Sequence, residues 1–65
     1  MRGKVTEWKD DRGFGFIESE SGGDRVFFHV SGLARGTRRP SVGDSVSFEL
    51  VRTADGKVRA VGVGP

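Results

Sequence analysis

Phenylalanines alternate with glycines in one short stretch of this sequence, Arg-Gly-Phe-Gly-Phe-Ile-Glu at residues 12–18. Successive side chains of an extended strand point to opposite faces. If Ile17 faces a core, the two glycines face it too, and Phe14 and Phe16 project to the other side beside Arg12. Rings in that position can stack on a planar ligand, and the neighbouring cation can contact an anion.

A second stretch, residues 25–30, repeats this arrangement. Alternation places Val26, Phe28 and Val30 on the core face. Phe27 and His29 then project the other way, so two paired strands would carry four rings on one surface. Burying a ring contributes roughly 1.5–3 kcal/mol, and a small domain that leaves several of them exposed usually presents a binding site. Nucleobases stack on such rings at roughly 1–3 kcal/mol each.

Three alternative interpretations of these segments are weaker. A register shifted by one residue would turn the rings inward, but it would expose Ile17, Val26 and Val30 instead. A lone histidine without a second His or Cys does not make a zinc site. The glycines do not form a phosphate-binding loop, because Glu18 stands where a third glycine is needed and no helix follows. We therefore predict no metal, no cofactor and no small-molecule substrate.

Positive charge is concentrated in residues 33–41, which contain Arg35, Arg38 and Arg39. This cluster is either a solubilising loop surface or a set of phosphate contacts at the rim of the aromatic surface. Lys57, next to a predicted Asp55-Gly56 turn, is a further candidate contact. The net charge is only +2, so the position of these cations, and not their number, supports an interaction with a polyanion.

Short apolar runs separated by glycines make up the rest of the chain, and no stretch has helical spacing longer than a turn. This pattern predicts an all-β fold. The predicted strands are about Gly3 to Lys9, Gly13 to Glu18, Arg25 to Val30, Val46 to Leu50 and Val58 to Val63. The first three form a meander, the last two form a hairpin, and residues 33–41 form a long surface loop.

Five short strands in 65 residues are too few for two packed sheets, whereas a closed barrel protects its edges around one small core. We therefore predict a five-stranded antiparallel β-barrel of the OB type. Its predicted interior is Val5, Ile17, Val26, Phe28, Val30, Val46, Phe48, Leu50 and Val61.

The length predicts a single domain over residues 1–65, close to the lower size limit for a core without a staple. The absence of cysteine excludes disulfides and thiolate chemistry. No apolar run is long enough to span a membrane, and the first residues do not resemble a signal peptide. These features predict a soluble, cytoplasmic protein.

Four segments of the chain resemble the cold-shock domain. They are Gly3-Lys4-Val5, Arg12-Gly13-Phe14-Gly15-Phe16-Ile17, Val26-Phe27-Phe28-His29-Val30-Ser31 and Gly43-Asp44-Ser45-Val46-Ser47-Phe48-Glu49. The two central segments are similar to the RNP1 and RNP2 motifs of that family. The resemblance implies an OB-type barrel that binds single-stranded RNA or DNA with little sequence preference, as an RNA chaperone or a regulator of transcription and translation.

The resemblance also implies roles for individual residues. Arg12 corresponds to the basic residue of the first motif, and Lys4 to a lysine of the family's first strand. The residues that correspond to base-stacking positions are Phe14, Phe16, Phe27 and His29. An RRM domain shares the first motif. It contains two helices, however, and its RNP2 strand precedes RNP1, whereas this chain has no predicted helix and the reverse order.

The chain departs from the family pattern in its first strand and its long loop. Glu7-Trp8 replaces the usual Trp-Phe, so a carboxylate holds the stacking position and Trp8 takes the phenylalanine position. Trp8 is nevertheless a candidate nucleic-acid contact. Val30 stands where many members have an aromatic residue, and the loop has arginines but no phenylalanine. These departures imply a smaller stacking surface and a steeper salt dependence of binding.

Other functions would use the same features differently. A hydrolase or transferase is disfavoured, because alternation places no carboxylate beside the only histidine. A protein-interaction module of SH3-like or OB type is the main rival, since exposed aromatics also bind proline-rich peptides. Some cold-shock family members carry this domain at the N-terminus of a longer membrane-associated protein, and the Glu7-Trp8 variation resembles those. We expect a monomer, with a dimer as the alternative.

Overall fold

The computed structural model describes residues 1–65 and consists of one closed five-stranded barrel. The strands are β1 (Arg2–Lys9), β2 (Phe14–Ser19), β3 (Val26–His29), β4 (Ser45–Arg52) and β5 (Val58–Gly64). They pair in the order β1-β2-β3-β5-β4, and β4 closes the barrel on β1. The predicted all-β, five-stranded OB-type barrel is confirmed, and each predicted strand coincides with an observed one.

The prediction of a purely antiparallel barrel is wrong in one detail, because β3 and β5 pair in parallel while the other four strand pairs are antiparallel. Closure explains this pair. β4 runs opposite to β1 and β5 runs opposite to β4, so β5 must run in the direction of β1 and β3. A single 3-10 turn, Val30–Gly32, follows β3 and leads into the long loop. No helix in the structure has the length and apolar character to cross a membrane.

The interior of the barrel is a cluster of seven buried apolar side chains. They are Val5, Ile17, Phe28, Val46, Phe48, Ala60 and Val63. The first five confirm the sequence prediction, and Val26 packs half-buried against the cluster. No charged or polar side chain is fully buried, so apolar contact fills this core without ion pairs.

The core prediction is wrong for three residues. Leu50 is 41% exposed, and Val30 and Val61 are only half-buried. Leu50 points to the same side of β4 as Phe48. It lies closer to the β4–β5 turn, however, beyond the end of the hydrophobic core. Val30 has left strand geometry and belongs to the 3-10 turn.

The error at Val61 comes from an irregularity in β5. Ser47 pairs with Gly64 and Glu49 pairs with Val61, so β5 contains one more residue than β4 between these two pairs. Gly62 absorbs the extra residue with a φ of 62°, in the left-handed region that glycine adopts readily. The side chains change parity at this bulge, which turns Ala60 and Val63 inward.

Candidate nucleic-acid interface

Four aromatic side chains share the outer surface of strands β2 and β3. Phe14 pairs with His29 and Phe16 pairs with Phe27 in the antiparallel register. The residues between them face the core, where Phe28 and Ile17 are fully buried. We call the outer set, Phe14, Phe16, Phe27 and His29, the aromatic face; the structure brings it together as the alternation of the sequence predicts.

The three phenylalanine rings of the aromatic face touch one another. The ring centroids of Phe14 and Phe27 are 5.7 Å apart, and those of Phe16 and Phe27 are 5.9 Å apart. Phe14 and Phe16 meet edge to face at 6.3 Å. All three rings are half-buried, whereas the sequence analysis predicts exposed rings. Mutual packing holds the rings in place and leaves a continuous aromatic surface.

Two glycines make room beneath this surface. A Cβ atom at Gly15 would lie 2.2 Å from the carbonyl oxygen of Glu7 and 2.9 Å from the Trp8 ring. Only glycine fits there, because β1 and the Trp8 ring lie directly against the backbone of β2. Gly13 is likewise buried against Val30.

Trp8 does not belong to the aromatic face. Its indole stacks on the buried ring of Phe28 at 5.4 Å between centroids and 19° between planes. A β-bulge between Val5 and Glu7 shifts the register of β1, so that Glu7 pairs with Phe16 and Trp8 pairs with Gly15. Trp8, a predicted binding residue, is therefore half-buried on the core side of its strand.

His29 is held by the 3-10 turn that follows it. The backbone N–H of Ser31 donates to Nδ1 of His29 at 3.1 Å, and the Ser31 hydroxyl lies 2.9 Å from the same nitrogen. Because Nδ1 accepts the backbone N–H, the neutral ring carries its proton on Nε2. The side chain thus combines a flat ring with one donor that can reach a ligand.

Arg25 is a candidate that the sequence interpretation missed. Its guanidinium carbon lies 5.1 Å above the ring centroid of Phe16, in a cation–π contact. Arg25 has the same parity as Phe27 and His29, and that parity is a signal from which its outward position could have been predicted. The contact covers part of the Phe16 ring and adds positive charge to the face.

Strand β1 borders the aromatic face with charged side chains of both signs. Glu7 pairs with Phe16 and Lys9 pairs with Phe14. The ammonium nitrogen of Lys9 lies 3.9 Å from the Glu7 carboxylate, an exposed contact that is weak in water. Glu7 would repel a phosphate at this border, and Lys9 reduces that repulsion.

The long loop of residues 33–41 is attached to the turn after β1 through Arg39. Nη1 of Arg39 donates to the Asp10 carboxylate at 3.0 Å, and the Trp8 indole N–H donates to the same carboxylate at 3.1 Å. These donors, Arg39 first, lower the pKa of Asp10 below its ordinary value. Arg35 and Arg38 are exposed and line an open cleft of about 850 Å³ between the loop, β4 and the end of β5.

The remaining predicted cations lie around the barrel. Arg12 is exposed in the turn that precedes β2, next to the Phe14 end of the aromatic face. Lys57 is exposed just before β5 and lines a cleft that includes Phe27. Lys4 is exposed on β1 opposite Glu18, in a neighbourhood that also contains Glu20. The two carboxylates make Lys4 the least favourable phosphate contact of the three.

The fold and the site together define a small barrel with an aromatic surface framed by cations. The family model of the "Cold-shock" DNA-binding domain matches residues 1–65. The chain belongs to the cold-shock domain family, a family of nucleic-acid-binding domains.

Individual relatives agree with this assignment. The chain is 42% identical over 53 residues to cold shock protein CspB of Bacillus caldolyticus, covering 80% of this chain and 79% of the relative. It is 41% identical over 66 residues to glycine-rich protein 2 of Nicotiana sylvestris, covering 98% of this chain but only 31% of that protein.

Among solved structures, the fold matches the Drosophila Unr structure described as CSD456. The TM-score is 0.79 at 24% sequence identity, over 97% of this chain and 25% of that one. This match establishes the fold. The chain thus spans about a third of the glycine-rich protein and a quarter of the Unr chain.

Proposed function

We propose that the protein binds single-stranded RNA or DNA by stacking bases on Phe14, Phe16, Phe27 and His29. The observation that carries this proposal is the contiguity of the aromatic face, whose phenylalanine ring centroids lie within 6.3 Å of one another. Consecutive bases of an unpaired strand can lie along such a surface, with roughly 1–3 kcal/mol from each stacked base. A duplex cannot, because its bases are already stacked.

Low sequence preference follows from the chemistry of the aromatic face. Every base has a π surface, and the three phenylalanines offer no hydrogen-bonding group that distinguishes one base from another. The Nε2 donor of His29 is the only polar group that these four side chains add. Selectivity between RNA and DNA would require a contact to the 2′-hydroxyl.

Phosphate contacts are assigned to the cations that surround the aromatic face. Arg12 and Lys9 lie near Phe14, Arg25 covers Phe16, and Lys57 lies near Phe27. Arg39 adds a cation at the β1–β2 turn near Phe14. Arg35 and Arg38 line the cleft between the loop, β4 and β5, and would meet only a strand that continues beyond the face. Lys4 adds a weaker contribution. Each cation that meets a phosphate releases a counterion, so the affinity should fall steeply as salt rises.

The biological role that fits this mode of binding is an RNA chaperone or a regulator of transcription and translation. Stacking without sequence readout lets a protein hold many unpaired segments and release them. We propose that residues 1–65 act as one cytoplasmic domain, as a monomer, without metal or cofactor. A longer protein that contains this domain could use it as one nucleic-acid contact among several.

A fluorescence anisotropy titration tests the proposal. The protein is added separately to labelled heptathymidine, labelled heptauridine and a labelled proline-rich peptide, each at two salt concentrations. We expect dissociation constants of roughly micromolar to tens of nanomolar at low salt, and weaker binding at high salt. Unchanged anisotropy at low salt would exclude the proposal, and binding of the peptide alone would identify a protein-interaction module.

A further inference from the structure

Arg59 on β5 stands beside the aromatic face, although it belongs to a different part of the chain. It is in register with Phe27 across the parallel β3–β5 pair, and the next pair, Phe28 with Ala60, is buried in the core. Residues paired in this way point to the same side of a sheet. The Arg59 side chain therefore starts from the same outer surface as Phe27.

The guanidinium of Arg59 has no partner within the protein. Its Nε atom is buried without a hydrogen bond, the one such side-chain atom in the molecule. No carboxylate lies within 4.0 Å of it, since the only ion pairs are those of Lys9 and Arg39. A buried N–H donor without an acceptor is unfavourable, and buried polar groups are normally paired. No internal hydrogen bond or ion pair holds this guanidinium in place, so a turn of the side chain would expose the donor to an acceptor from outside the chain.

Arg59 also lines an open cleft of about 380 Å³ that runs from Phe27 to the β4–β5 turn. The cleft contains two cations, Arg59 and Lys57, and one carboxylate, Asp55. Hydrogen bonds from Thr53 and from the backbone N–H of Lys57 lower the pKa of Asp55, so this carboxylate is ionised at neutral pH. Its charge keeps an anion away from the turn and favours the Phe27 end of the cleft.

We infer that Arg59, with Lys57, binds a backbone phosphate of the nucleotide whose base stacks on Phe27, so that the bound strand continues across β3 onto β5. This inference rests on the proposed function and adds to it a phosphate site on a strand that carries none of the aromatic residues. The guanidinium is suited to this role, because it donates two parallel hydrogen bonds to phosphate oxygens.

Anisotropy titrations with heptathymidine test the assignment by comparing Arg59→Ala with Arg52→Ala. Arg52 is an exposed arginine of the same hairpin that does not line the cleft, so both variants lose one positive charge. We expect Arg59→Ala to bind about tenfold more weakly at low salt, with the magnitude of the salt slope reduced by about 0.7. Arg52→Ala should retain the wild-type slope, and Arg59→Lys should restore the slope without the full affinity.

The outcomes separate this assignment from the proposed function. If Phe27→Ala weakens binding while Arg59→Ala behaves like Arg52→Ala, the aromatic face binds the strand and the phosphate site is wrong. If the wild-type protein does not bind heptathymidine, both fail. Thermal melting of each variant identifies losses of affinity that come from unfolding.

A measurement on the wild-type protein avoids substitution altogether. The Nε–H resonance of Arg59 should shift when heptathymidine is added to the labelled protein, because the side chain turns out of its enclosed position and the donor gains a phosphate acceptor. It should shift much less with a heptathymidine whose phosphates are replaced by neutral methylphosphonates. Equal shifts with both oligonucleotides would show that Arg59 does not contact phosphate.

Discussion

The guanidinium of Arg39 holds Asp10 by two hydrogen bonds, one to its backbone carbonyl oxygen at 2.8 Å and one to its carboxylate at 3.0 Å. The Trp8 indole donates to the same carboxylate. Residues 29 positions apart are thus joined next to the Phe14 end of the aromatic face. In the free protein, the charge of Arg39 is balanced by Asp10, whereas Arg35 and Arg38 have no such partner.

Replacing Asp10 should strengthen nucleic-acid binding. Asp10→Asn removes a negative charge near the aromatic face and frees Arg39 to contact phosphate. We expect heptathymidine to bind about threefold more tightly at low salt, the size of an exposed ion pair, with a steeper salt slope. Asp11→Asn is the matched control, because Asp11 is exposed and makes no side-chain hydrogen bond. Equal gains from the two substitutions would show that bulk charge alone is responsible.

The same carboxylate makes the environment of Trp8 depend on pH. Hydrogen bonds from Arg39 and then from Trp8 lower the pKa of Asp10 from its ordinary value of 3.8. The ionised form is therefore favoured in the folded protein, so its stabilisation is present above pH 3.8 and is lost as the pH falls through the lowered pKa. We expect Trp8 emission to change in this acid range, before unfolding, and the change to be absent in Asp10→Asn. A transition near neutral pH would contradict this assignment.

Removing one ring of the aromatic face should affect binding more than folding. Phe27→Ala should weaken heptathymidine binding by roughly 1–3 kcal/mol, because one stacking position is lost. The ring is half-buried against Phe14 and Phe16, so the free energy of unfolding should also fall, by about 1 kcal/mol. Anisotropy and thermal melting measure the two effects.

The control for the ring is Leu50→Ala, which truncates an exposed apolar side chain on β4 away from the aromatic face. This variant should retain wild-type affinity. If Phe27→Ala binds as tightly as Leu50→Ala, the ring is not a stacking position; if it fails to fold, the ring belongs to the core.

Alternation along β2 and β3 is sufficient to predict the aromatic face, because Phe14 to Ile17 of β2 pair with all of β3 without irregularity. In such strands, one residue of known direction determines the direction of all the others. Ile17 served that purpose for β2, and Phe28 did so for β3. The same rule places Arg25 on the aromatic face, because Arg25 lies two residues before Phe27 and so points to the same side.

Irregular strands defeated the rule. The bulge between Val5 and Glu7 turned Trp8 toward Phe28, and the bulge at Gly62 exchanged Val61 for Ala60 and Val63. A bulge is a property of the pairing between two strands, so the sequence of one strand does not reveal it. The contact between Arg39 and Asp10 cannot be predicted from the sequence for a related reason, since only barrel closure brings the loop to the β1–β2 turn.

A methyl group added beneath the aromatic face should lower the stability of the barrel more than a methyl group added in a loop. In Gly15→Ala, the new Cβ would lie 2.2 Å from the Glu7 carbonyl oxygen, a backbone atom that cannot move without disturbing the β1–β2 pairing. We expect a loss of about 3 kcal/mol, or roughly 12–24 °C in melting temperature for a domain of this size. Gly22→Ala is the comparison, because nothing lies within 4 Å of its Cβ and only its left-handed backbone, at a φ of 87°, opposes the substitution. That backbone costs about 1–2 kcal/mol, so equal melting temperatures for the two variants would mean that β1 does not pack against Gly15 as the structure shows.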